Sequence, residues 1–166
     1  MDLLIREVRP GDAEAILRIL NPIIEAGVYT ALDTPVTVDA ERDFIANFPE
    51  RGIFHVAERG QDQKVVAFQT IEPYGTYTHA FDHVGVMGTF VDLSQRQQGI
   101  GTRLSEVTFE TARSKGYEKI FTYLRADNLA ALAFYLQLGF RIVGTAQRQA
   151  KLGHRYVDEI IIEKLF

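Results

Sequence analysis

Arg96-Gln97-Gln98-Gly99-Ile100-Gly101 is a glycine-rich turn between an apolar stretch ending at Asp92 and an amphipathic one running from Gly99 to Lys115. A turn that opens a helix leaves several backbone N–H groups unpaired, and the helix dipole adds positive potential there. Both favour an anion such as a pyrophosphate. The glycines carry no Cβ, so the backbone could approach that ligand closely. The same hexapeptide also suits a plain turn into a helix, and on its own it does not separate the two readings. A second pair, Asn128 and Tyr135, lies seven residues apart in the largely apolar run from Asn128 to Leu138. That spacing is about two helical turns, so both residues face one side. Asn128 also suits an N-cap.

The elements that must position these residues are legible as periodicities. Leu3 to Arg9 alternates as a first strand, and Asp12 suits the N-cap of a helix carrying Ile16, Leu17, Leu20 and Ile24. Pro22 should kink or interrupt that helix. Gly27 to Val38 reads as a loop and Asp39 to Phe48 as a second helix. Ile53 to Glu58 and Lys64 to Ile71 form an expected hairpin. Val84 to Asp92 is a strand in which Gly85 and Gly88 point to a bulge or a close backbone approach. Lys119 to Leu124 is a short strand. The helix after it ends at Gly139, followed by strands at Arg141 to Thr145 and Tyr156 to Glu163. The order gives a mixed α/β (α+β) sheet rather than a regular βαβ series, in one domain over residues 1–166.

Composition narrows the chemistry. The 46% hydrophobic and 24% charged fractions are those of an ordinary globular chain. A net charge of −4 with no basic run gives no case for nucleic acid. No apolar run approaches the length needed to span a bilayer, and the first residues lack a signal-peptide pattern, so no membrane partner and a cytoplasmic location are expected. There is no cysteine, which removes disulfides and a cysteine acyl-enzyme. The four histidines are scattered apart from His79 and His83, and no metal is expected.

Two blocks, in this order, resemble the GNAT superfamily of acyl-CoA N-acyltransferases. Val91-Asp92 through Arg96-x-x-Gly99-x-Gly101 is similar to its R/Q-x-x-G-x-G/A signature. Asn128-x-x-Ala131-x-x-Phe134-Tyr135-x-x-x-Gly139-Phe140 is similar to its N-x-x-A-x-x-x-Y-x-x-x-G-F helix. Leu20-Asn21, the stretch from Tyr29 to Thr37 and the C-terminal run from Tyr156 to Lys164 look like the phosphinothricin-acetyltransferase-like branch. The resemblance implies a mostly antiparallel sheet of about six to seven strands flanked by about four helices. It also implies a splay between the fourth and fifth strands. Relatives of that branch often dimerise, so a homodimer is a further expectation.

The resemblance also implies roles. Acetyl-CoA would be the co-substrate, its pyrophosphate held by backbone amides from Gln97 through Gln98, Gly99, Ile100 and Gly101 to Thr102, with Arg96 holding the loop or meeting the phosphate. Its pantetheine arm would pair like an extra strand with Thr89, Phe90 and Val91. Gly88 would form a bulge exposing an N–H for the thioester carbonyl. Asn128 would cap its helix and touch the coenzyme. Tyr135, a phenol of unperturbed pKa about 10, would protonate the departing thiolate.

The general base departs from the pattern. A fourth-strand glutamate of the phosphinothricin-like branch falls on Val86, and a fifth-strand glutamate of the ribosomal-protein acetyltransferases falls on Tyr123. Glu72, His79, Asp82 and His83 remain. His83 is preferred for its unperturbed pKa near 6.5, with an ordered water chain as the alternative. The expected activity is acetyl transfer to the primary amine of a small amino-acid-like or xenobiotic metabolite. Tyr29, Tyr74, Tyr77 and Phe81 are expected to wall a small acceptor pocket. A protein N-terminus or lysine as acceptor, and a non-catalytic acyl-CoA-binding module, are the alternatives.

Overall fold

The alternating N-terminus forms β1 (Leu3–Glu7) in the computed structural model, which describes residues Met1–Phe166. A short 3-10 turn follows at Pro10–Asp12 and leads into α1 (Ala13–Ala26). Asp12 does not cap α1 with its side chain. Its carboxylate instead accepts the Arg9 N–H at 2.7 Å and two Arg6 guanidinium bonds at 2.9 and 3.0 Å. Pro22 does not interrupt α1, which runs through it to Ala26 with Gly27 as its cap. Pro22 lies on the exposed face, so the Arg18 carbonyl it leaves without a helical partner is open to water. Ile16, Leu17, Ile19, Leu20, Ile23 and Ile24 are buried on both sides of it. Each such side chain contributes roughly 1.5–3 kcal/mol of burial, together enough to hold the helix across one lost hydrogen bond. α2 (Val38–Ala46) starts at Thr37, whose hydroxyl accepts the Ala40 N–H at 3.2 Å.

The remaining elements are β2 (Ile53–Arg59), β3 (Lys64–Pro73), β4 (Val84–Val91), α3 (Ile100–Ser114), β5 (Lys119–Arg125), α4 (Leu129–Gln137), β6 (Arg141–Leu152) and β7 (Arg155–Leu165). They form a seven-stranded sheet in the order β1-β2-β3-β4-β5-β7-β6, antiparallel except for β4 and β5. β6 is longer than its sequence pattern predicts, because its ladder to β7 resumes after an irregularity beyond Ala146 and runs to Leu152. α1 and α2 cover one face of the sheet through Phe54, Val56 and Phe68. α3 and α4 cover the other through Ile71, Met87, Ile120 and Ile162.

β4 sets the site. It pairs with β3 in unbroken register from Ala67↔Val91 to Pro73↔Gly85, so the expected bulge at Gly88 does not form. Gly85 is instead a close approach. A Cβ there would lie 2.5 Å from Ile71 Cγ2 and 3.3 Å from both Ile120 and Tyr117. On its other side β4 pairs with β5 at three positions only, Val84↔Lys119 to Val86↔Phe121. The buried Thr122 hydroxyl then donates to the Met87 carbonyl at 2.6 Å, and the strands part as the resemblance implies.

Gly85→Ala should therefore destabilise the fold by about 1–3 kcal/mol through overpacking. Gly88→Ala, whose Cβ would meet Thr70 Oγ1 at 3.3 Å, should cost less. Urea denaturation of both variants checks the ranking.

Candidate active site

Beside the end of β4 that β5 leaves unpaired lies a cleft of about 580 Å³, lined by β4, the turn before α3, α4 and the end of α1, within the roughly 300–1,000 Å³ usual for ligand sites. One wall is the free edge of β4. Asp92 N–H donates to Val66 O, and Tyr74 N–H donates to Val84 O. Residues 84, 86, 88, 90 and 92 therefore spend their main-chain groups on β3, and the odd-numbered residues turn theirs the other way. Thr122 takes the Met87 carbonyl. The N–H and C=O of Thr89 and Val91 are left facing the cleft, an edge ready for strand-like pairing. The group available to polarise a carbonyl is thus the Thr89 N–H on a regular strand, in place of the bulged group expected at Gly88.

The glycine-rich turn forms a second wall. Gln97 and Gly99 adopt left-handed φ values of 62° and 76°. Arg103 N–H donates to Gly99 O as the first backbone bond of α3, so the amides from Gly99 to Thr102 lie ahead of it with no helical partner. Gly101 sits where a Cβ would meet the Phe134 ring at 3.0 Å, which lets α3 start against α4. Arg96 stacks its guanidinium 4.4 Å from the centre of the Tyr29 ring, and its Nε is buried with no partner. A buried cationic donor without an acceptor beside free amides suits a bound anion.

Tyr29 is held in place by the junction after β5. Arg125 is 2% exposed. It makes a two-pronged bond to Asp127 at 2.9 and 2.8 Å and reaches the carbonyls of Gly27 and Thr30 at 2.9 and 3.2 Å. Asn128 caps α4 by accepting the Ala131 N–H at 3.1 Å, and its amide donates to Tyr29 O at 3.1 Å. These two residues tie the loop after α1 to the head of α4. Tyr29, expected as a wall of an acceptor pocket, is therefore placed against Arg96 at the glycine turn. Tyr74, Tyr77 and Phe81 do associate with one another, and Tyr74 packs on Phe121 with ring centres 5.6 Å apart.

Tyr135 closes the cleft from α4. It is 6% exposed, and its hydroxyl lies 3.0 Å from Thr89 Oγ1. Burial pushes its pKa up to about 12, the Thr89 hydroxyl pulling weakly the other way. Of the residues expected at the site, the cleft takes in Thr89, Phe90, Val91, Arg96, Gln97, Gly99, Ile100, Gly101, Thr102, Asn128 and Tyr135. Gln98 is exposed in the same turn. His83 is not brought to the cleft. It is exposed at the start of β4, six residues or about 20 Å of extended strand from Thr89. Its carbonyl serves instead to hold the Glu118 and Lys119 amides. His79 and Asp82 pair with each other at 2.9 Å on the surface. Thr30, Arg125 and Asp127 were not singled out from the sequence. The signal for the last two was an arginine and an aspartate flanking the start of the Asn128 helix.

Residues 15–140 match the family model described as the acetyltransferase (GNAT) family. A putative phosphinothricin acetyltransferase, YwnH of Bacillus subtilis, is 26% identical over 93% of this chain and 94% of its own. A mycothiol acetyltransferase of Jonesia denitrificans is 43% identical over 34% of this chain, a match that spans 19% of that relative's length. A ribosomal-protein-alanine N-acetyltransferase from Brucella melitensis superposes with a TM-score of 0.89 at 25% identity, over 98% of this chain and 99% of that one. A phosphinothricin acetyltransferase from Sinorhizobium meliloti, in complex with acetyl-CoA, superposes with a TM-score of 0.89 at 16% identity, over 100% and 89% of the two chains.

Arg125→Met should loosen Tyr29 from Arg96, raise the acetyl-CoA dissociation constant severalfold and lower stability by about 1–3 kcal/mol, since two carbonyls lose their donor. Calorimetric titration with acetyl-CoA and thermal denaturation check it. Unchanged affinity would mean that the clamp does not serve the cleft.

Proposed function

The chain belongs to the acetyltransferase (GNAT) family, and on that premise we propose that it transfers an acetyl group from acetyl-CoA to the primary amine of a small metabolite, amino-acid-like or xenobiotic. The observation that carries this reading is one cleft with anion-binding amides and an unpartnered arginine donor at one end, and the free β4 edge beside a buried phenol at the other. The turn from Arg96 to Thr102 would take the pyrophosphate. The Thr89 and Val91 main chain would pair with the pantetheine amides. The Thr89 N–H, fixed by the register of β4, would stabilise the oxyanion as the neutral amine attacks the thioester carbon. A C–N bond forms and the C–S bond breaks. Tyr135 gives its proton to the departing sulfur and regains one from the nitrogen or from water. With Val86 and Tyr123 at the positions of the relatives' carboxylates and His83 remote, the amine's excess proton passes to water at the cleft mouth.

The likeness to the ribosomal-protein-alanine N-acetyltransferase motivates a second reading, in which the acceptor is a protein N-terminus. The exposed side chains of Tyr74, Tyr77 and Tyr123 would then flank a peptide rather than a small amine.

Thiol release from acetyl-CoA, measured with a panel of amino acids, polyamines and arylalkylamines, should reveal small-molecule acceptors. Label transfer only to lysate proteins would favour the second reading. Tight acetyl-CoA binding with no transfer to either would leave a binding module. Tyr135→Phe should lower kcat on the order of 100-fold with acetyl-CoA affinity within about twofold, and an unchanged kcat removes Tyr135 as the acid. A pKa raised to about 12 keeps the phenol protonated across the assay range. The kcat/KM profile should accordingly rise as the amine loses its proton and show no alkaline decline up to about pH 10.

A further inference from the structure

Behind Tyr135 runs a buried chain of polar side chains that links it to the pyrophosphate turn. Gln69 on β3 stands directly opposite Thr89 on β4. Their main chains do not bond to each other, because residue 89 turns its groups toward the cleft, and in such pairs the side chains stand close together. Gln69 is 0% exposed. Its Nε2 donates to Thr89 Oγ1 at 2.8 Å and to Ser105 Oγ at 2.9 Å. Ser105, also fully buried, donates its hydroxyl to the Gly101 carbonyl at 2.7 Å.

The proton count along this chain fixes the Gln69 amide. Ser105 has a single hydroxyl proton and uses it on Gly101, so it can only accept from Gln69. That demand fixes the Gln69 amide with nitrogen toward Ser105, and the second N–H of the same group falls on Thr89 Oγ1. Thr89 thus receives one hydrogen bond and has one proton to give. Tyr135 Oη lies 3.0 Å away, and either hydroxyl of this pair can donate to the other; the bond from Gln69 polarises the Thr89 hydroxyl and favours Thr89 as the donor. A phenol oxygen that accepts from Thr89 keeps its own proton free to point into the cleft. Were the amide reversed, Thr89 would donate to Gln69 and have no proton left for Tyr135. Gln69 Oε1 is left buried without a partner. An orphaned carbonyl is what this orientation entails.

We propose that Gln69 is a positioning residue that, through Thr89, orients the Tyr135 hydroxyl proton toward the leaving thiolate. The proposal rests on the reading of Tyr135 as general acid. It also ties the acid to the coenzyme turn, since Ser105 bonds to Gly101 in the first turn of α3.

A double-mutant cycle tests it. Gln69→Met keeps the side chain's approximate volume and removes both donors. With acetyl-CoA and the panel amine of highest turnover, kcat should fall on the order of tenfold while acetyl-CoA affinity by calorimetry stays within about twofold. In a Tyr135→Phe background the same substitution should have no further effect on kcat, because no phenol proton remains to orient. Thr89→Val should reproduce the loss and Thr89→Ser should restore most of the rate, which covers the case of a Gln69 variant that folds poorly. A fall of equal size in both backgrounds would mark Gln69 as merely structural and overturn the proposal. So would full activity of Gln69→Met beside a slow Tyr135→Phe, and that outcome leaves the acid role of Tyr135 standing. Wild-type kcat in Tyr135→Phe would instead remove both.

Discussion

Three residue pairs of parallel ladder decide the architecture of this protein. β4 and β5 are joined from Val84↔Lys119 to Val86↔Phe121, and the Thr122 hydroxyl then takes the Met87 carbonyl that a fourth pair would have used. A buried carbonyl satisfied by a side chain removes the incentive for the strands to continue together. The rest of β5 turns to β7, and the rest of β4 keeps only β3. The edge of β4 left free by that divergence is one wall of the cleft. The register on the β3 side determines which main-chain groups look into it. Had the pairing slipped by one residue, the groups of Gly88 and Phe90 would face the cleft, and the Thr89 side chain would leave Tyr135.

A second constraint acts at the other end of the cleft, and it is electrostatic. Arg125 is almost wholly buried, yet its guanidinium is satisfied by one carboxylate and two carbonyls. Such an arginine is a rigid fork. It converts the loop after α1, otherwise free to move, into a fixed support for Tyr29. Tyr29 in turn orders the Arg96 guanidinium by a cation–π contact, worth about 0.5–2 kcal/mol depending on desolvation. The cationic donor beside the glycine turn is therefore held in place before any anion arrives.

Much of this was legible in the sequence because periodicity and glycine placement are local signals. The strand before Arg96, the turn at Gly99 and Gly101, and the helical spacing of Asn128 and Tyr135 each follow from a few adjacent residues. The misreadings arose where distant partners decide. Pro22 does not interrupt α1, because burial on the face opposite the proline outweighs one missing bond. Gly88 reads as a bulge in isolation, but the β3 ladder runs through it unbroken. His83 has a suitable ring, but the length of β4 carries it away from Thr89. Gln69 and Ser105 gave no sequence signal at all. Gln69 looks like an isolated polar residue in an apolar strand and Ser105 like one of many polar residues in α3, and only the opposition of β3 to β4 under α3 brings them together.

The open edge of β4 has a consequence for how such a protein can change over time. The cleft is addressed there by the amide and carbonyl of Thr89 and Val91, atoms that every residue except proline carries alike. Substitutions along that edge can alter bulk or polarity without erasing the groups that would recognise the donor. The Tyr74–Phe81 loop and the β5 face at Phe121 and Tyr123, by contrast, present side chains alone. Under the proposed function, drift in those segments would change what meets an acceptor while the main-chain edge stays constant, so the two regions are free to diverge at different rates.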